Sequence, residues 1–140
     1  MQQQPITQQQ IFDKVVVHLH EQNEQSMNAE SGGCAYRGDN GLMCAVGCLI
    51  TDEAFNPKFN IASVRNDEVF KMLIASGVSV SYADEDDTVL LLESLQEIHD
   101  DPIYAQFGFG MALVGRLKET ASKFNLSTET LDKLPLNPKQ

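Results

Sequence analysis

Three cysteines and a distant histidine frame the chemistry that this sequence could carry. Cys44 and Cys48 stand four residues apart, a spacing that sets two side chains on one helix face, and Cys34 lies upstream across a turn-rich stretch. With His99, or His18 or His20 far upstream, as a fourth ligand, Cys34, Cys44 and Cys48 would make a Cys3His set of the kind that holds zinc. The gap of nine residues between Cys34 and Cys44 departs from the usual paired knuckles. The competing reading makes each free cysteine a small buried hydrophobe, with no cofactor at all. His18 and His20 point to different sides of their helix and form no joint ligand pair.

Cys44 also reads as a nucleophile. It follows a glycine-containing loop, and a thiol at the opening of a helix has a lowered pKa and backbone N–H donors beside it for an oxyanion. His99 would then be the base and Asp100 its orienter, the layout of a thiol hydrolase. Two features weigh against this. His99 falls at the end of a helix, and Met43, Ala45 and Val46 around the thiol have the character of core packing. Arg37 is the basic residue nearest the cysteines; it could pair with Asp39, Asp52 or Glu53, or hold an anion. No phosphate-binding loop, dinucleotide fingerprint, His-Glu-x-x-His or EF-hand is present.

The elements that must position these residues are mostly helical. Thr7 and Gln10 make a capping box, with Ile6 and Ile11 as its hydrophobic staple, ahead of a helix with Ile11, Phe12, Val15, Val16 and Leu19 on one stripe. Residues 23–33 read as a loop. Gly38-Asp39-Asn40-Gly41 reads as the tight turn of a small β-hairpin, and Cys44–Ile50 as a short buried helix. Thr51 and Asp52 could cap another through Phe55. Asn66 or Ser63 caps a helix that stops at Gly77, and Val78–Tyr82 alternates like a short strand. A helix then runs to Asp101-Pro102. A last long one covers residues 103–124, with Phe107, Met111, Val114, Leu117, Ala121 and Phe124 inward and Gly108 and Gly110 as its weak point. The expected fold is mainly α, about five helices with one small hairpin, in a single domain over residues 1–140. Residues 1–6 would be frayed and 126–140 a tail, mobile or docked.

Net charge is −10, and it is uneven: no Lys or Arg lies between Lys71 and Arg116, a stretch holding Asp84, Glu85, Asp86, Asp87, Glu93, Glu97, Asp100 and Asp101. Such a field repels nucleic acid and anionic membranes and attracts a basic protein surface. A merely solvated helix face is the plain alternative. There is neither a signal-peptide pattern nor an apolar run long enough to span a bilayer, so reduced thiols in a cytosol are expected.

The run from Cys34 through Cys-Ala-Tyr-Arg-Gly-Asp-Asn-Gly-Leu-Met-Cys-Ala-Val-Gly-Cys-Leu-Ile-Thr-Asp resembles a family of small phage, prophage and bacterial proteins. In that family a Cys-x-Tyr-Arg segment, a Gly turn and a Cys-Ala-Val-Gly-x-Leu-Ile segment follow an N-terminal helix. The likeness extends more loosely to residues 95–100 and the closing helix. It implies an accessory protein in the cytoplasm of a bacterial host, marks Cys34, Tyr36, Arg37, Cys44, Gly47 and His99, and leaves Cys48 at a variable position. It supplies no catalytic residues. The expectation is therefore a non-enzymatic factor that binds a host protein with a basic surface, as an inhibitor of a nucleic-acid-binding or defence enzyme. Asp84, Glu85, Asp86, Asp87, Tyr36 and Arg37 are its contact candidates. The alternative is the Cys44-centred hydrolase or the Cys/His zinc protein. In a third reading the central motif is purely structural.

Overall fold

The computed structural model describes residues 6–28, 33–83 and 86–136. Its elements are α1 (Gln8–Gln22), β1 (Met27–Asn28), β2 (Gly33–Cys34), α2 (Asp67–Ala75), α3 (Asp87–Asp100), α4 (Pro102–Phe107), α5 (Met111–Lys123) and α6 (Glu129–Asp132). The chain is mainly helical with one small antiparallel pair, as the sequence predicts.

The helices start where side chains can take up the orphan amides of a first turn. Thr7 and Gln10 close the capping box of α1, Asn66 caps α2, Asp86 caps α3 and Asp101 caps α4. At the far end of α2 the chain turns through Gly77 at φ +90°, a left-handed conformation that a side chain would strain. Helical spacing then delivers one apolar face per helix. Ile11, Phe12, Val15, Val16 and Leu19 of α1 are completely buried, as are Leu91, Leu92 and Leu95 of α3. Each such side chain contributes roughly 1.5–3 kcal/mol on burial. α3 packs on α1, α4 and α5, while α1 also meets α6 and the Gly47–Leu49 turn. A single core cluster runs from Ile11 to Leu131. Among the described residues no helix is long and apolar enough to cross a membrane.

Four local expectations are corrected. The strand pair lies upstream of the Gly38–Gly41 turn, with Met27 opposite Cys34 and Asn28 opposite Gly33, inside the stretch expected to be loop. The arms of the turn meet only at an isolated Arg37–Met43 bridge. The reason is that the arm's backbone is claimed by Asn60, which accepts from Tyr36 N–H (2.9 Å) with its carbonyl, and from Arg37 N–H (2.8 Å) while donating to Arg37 O (2.9 Å) with its side chain. Cys44–Ile50 is a turn and a short 3-10 segment, Gly47–Leu49, rather than a helix. Val78–Tyr82 pairs with no strand among the described residues.

The long last helix is the fourth correction. It breaks into α4 and α5 at Gly108-Phe109-Gly110, where Gly108 sits at φ +64°. The break buries Phe109, whose N–H donates to Asn23 Oδ1 at 2.7 Å and whose ring meets His20 edge-on. It also rotates the helical face, so Tyr104, Leu113, Leu117 and Ala121 point inward while Phe107 and Met111 are 44% and 72% exposed. The segment after α5 is docked as far as it is described. Gln9 and Ser127 exchange two hydrogen bonds, His20 bonds Pro135 O, and Leu131 is buried.

Candidate functional site

His99 lies in the last turn of α3, fully buried, with its ring against Tyr104. Its Nε2 accepts the backbone N–H of Ser26 at 2.9 Å. An amide can only donate here, so Nε2 carries no proton and Nδ1 does. That proton goes to Asp100 Oδ1, 2.7 Å away, which also accepts from Gln96 Nε2 at 3.1 Å. The pair is therefore a neutral imidazole bonded to a carboxylate, not an ion pair. The lone pair that a base would use is occupied by Ser26, and Nδ1 has none to offer.

The structure gathers Cys34, His99 and Asp100, whose ligating atoms all lie within 4.8 Å of one another. Cys44 and Cys48 are not in this group. Cys44 Sγ accepts from Gly47 N–H at 3.2 Å, and Cys48 Sγ donates to Ala45 O at 3.1 Å. For a metal to use His99 through Nδ1, the ring would have to become an imidazolate or give up Ser26. Among the described residues that leaves Cys34 and Asp100, short of the four ligands of a structural zinc.

Cys44 is 1% exposed. Burial pushes its thiol up to about 12 against a weaker opposing pull from Gly47 N–H, so at neutral pH it is a thiol and not a thiolate. The amide that could have served an oxyanion is spent on its own sulfur. Burial also raises Cys34 and Cys48 to about 12 each.

Tyr36 and Arg37 are equally committed to the fold. Tyr36 Oη donates to Ala62 O at 2.6 Å. The Arg37 guanidinium donates to Gly47 O (2.7 Å), Ile50 O (2.6 Å) and Asp52 (3.2 Å), and stacks over the Phe55 ring. Gly47 must be glycine because a Cβ there would stand 2.3 Å from Tyr36 O. Of the acidic contact candidates, Asp84 and Glu85 lie outside the described residues. Asp86 holds Val89 N–H (2.9 Å) and the Ser81 hydroxyl (2.8 Å), and Asp87 is exposed in the first turn of α3.

Beside the His99–Asp100 pair opens a cleft of about 290 Å³. One wall is α3, with Glu93, Gln96, Glu97 and Asp100; the other is residues 60–64, and Cys34, Tyr36 and Cys44 also line it. Arg65 grips Glu93 with two bonds, of 2.9 and 3.1 Å. Asn60, Ser26 and Gln96 organise the site, and only Gln96, within residues 95–100, falls in a stretch that sequence reasoning singles out. The α3 residues had a signal in their i, i+3, i+4, i+7 spacing, whereas Ser26 and Asn60 act through folding of the loops and had none. No protein-family model, no curated protein and no solved structure matches the chain.

Proposed function

We propose that this chain is a non-catalytic accessory protein of the phage or prophage type, acting in a bacterial host by binding a protein with a basic surface. Inhibition of a nucleic-acid-binding or defence enzyme is its specific form. The observation that carries the reading is the commitment of both His99 ring nitrogens inside the fold, Nε2 to Ser26 and Nδ1 to Asp100. With Cys44 buried and Arg37 holding carbonyls, the side chains that could do acid–base or nucleophilic work are parts of the scaffold. The net charge of −10 steers and orients a positively charged partner and competes for surfaces built for phosphate.

The test is native mass spectrometry of tagged protein purified gently from bacterial cells, followed by a salt series on whatever complex is found. A bound host protein of basic character, released as salt rises and lost on reversal of Asp84, Glu85 and Asp87 to Lys, is the expected result. Asp86 is left alone because it caps α3. A chain carrying zinc or a covalent adduct on Cys44, with no protein bound, would overturn the proposal in favour of chemistry at the cysteines.

A further inference from the structure

The cleft between α3 and residues 60–64 has walls of two characters, and together they specify an occupant. Along α3, Glu93, Glu97 and Asp100 follow one another at four- and three-residue steps, so their carboxylates share a face. Glu93 is already answered by Arg65. Among the described residues no cation answers Asp100. Its partner His99 is neutral, since Nε2 is held by Ser26 N–H, and its other donors, the amide of Gln96 and the thiol of Cys34, are uncharged. Glu97 is exposed on the same wall. The facing wall is uncharged and mixed: Ile61, 62% exposed at the rim, with Ala62 and Val64 beside it and the polar Asn60 and Ser63 among them. Among the described residues, none with a positive charge lines the cavity.

We propose that this cleft receives an arginine side chain of the basic partner, its methylene stem against Ile61, Ala62 and Val64 and its guanidinium across Glu97 and Asp100. The inference rests on the binding reading above and names the contact at its centre. A planar fork with five donors serves two carboxylates on one helix face better than the point charge of lysine does. Arg65 on Glu93 already shows that pairing at the next position of the same row. Cys34, a neutral thiol on the cleft lining, does not compete for the cation.

The probe is N-acetyl-arginine methylamide, titrated into the 15N-labelled full chain at low salt, with the neutral citrulline analogue as control. Saturable amide shifts confined to residues 33–37, 60–65 and 93–100, absent with citrulline and weakened about fivefold or more in Glu97→Gln, are expected. Absent or scattered shifts, or equal shifts with citrulline, overturn the proposal. Because Glu97 is exposed and caps nothing, its variant should fold. An independent readout is Cys34 modification: a cationic methanethiosulfonate should react faster than an anionic one of similar size, and equal rates would contradict an uncompensated Asp100. A host-protein complex that survives both Glu97→Gln and a blocked Cys34 would remove this cleft while leaving the binding reading standing.

Discussion

The fate of His99 follows from a single donor. Ser26 N–H fixes which ring nitrogen is bare, and from that come the neutral ring, the uncompensated carboxylate of Asp100 and the poor prospects for a metal at Nδ1. The ring 15N spectrum should show the Nδ1–H tautomer at neutral pH; a protonated Nε2 would refute the assignment. Replacing His99 by Leu should cost about 1–3 kcal/mol, the penalty for a buried amide left without an acceptor, read by denaturant unfolding. The cysteines make a second residue-scale prediction. Folding lifts the Cys44 thiol from 9.0 to about 12, so the folded chain holds that proton more tightly than the unfolded one. Its contribution is complete below pH 9 and falls as pH rises from there toward 12. Unfolding midpoints should therefore decline over that alkaline range, and less steeply in Cys44→Ala. In the native protein at pH 8, iodoacetamide should label Cys34 well before Cys44. At the acid end, burial lowers His18 despite its bond to Met43 O, so the stability it carries is present above 6.5 and drains away as pH falls.

At the scale of elements, what could be read in advance divides by the range of the interaction. The α1 cap, the Asn66 cap, the Gly77 stop and the Asp101-Pro102 boundary were legible because each is a contact within a few residues. The strand pair and the break at Gly108–Gly110 were not. Asn60 displaces the hairpin by supplying a substitute edge from more than twenty residues away, and Asn23 stabilises the break by holding Phe109 N–H. Apolar spacing gave Leu117 and Ala121 correctly and misplaced Phe107 and Met111, because the break resets the phase. The candidate site was legible only as residue types: Cys34, His99 and Asp100 do meet, but the tautomer that decides their chemistry depends on Ser26. The central segment behaves as one mechanical unit. Asn60→Ala should cost about 1–3 kcal/mol through its two lost bonds to Arg37. Gly47→Ala should cost about 3 kcal/mol or more, since the obstacle is backbone rather than a movable side chain. A Gly47→Ala protein as stable as the parent would show that Tyr36 can retreat.

For the whole molecule, α1 is the element around which the rest closes. It meets α3, the Gly47–Leu49 turn and α6, so its buried face is shared by early, middle and late parts of the chain. Removing residues 126–140 should strip Leu131 from the core and both Ser127 bonds from Gln9. A loss of about 2–5 kcal/mol is expected by denaturant unfolding, the scale of deleting a large buried side chain. An unchanged midpoint would mean that the docked segment is energetically idle. The same closure bears on the order of events during synthesis. α1 buries its face partly against α6, which is made more than a hundred residues later, so α1 cannot reach its final packing until translation has passed Leu131. Until then part of its stripe from Ile11 to Leu19 stays open to water or to a chaperone, so a stretch made well before its partner must wait for that partner to finish packing.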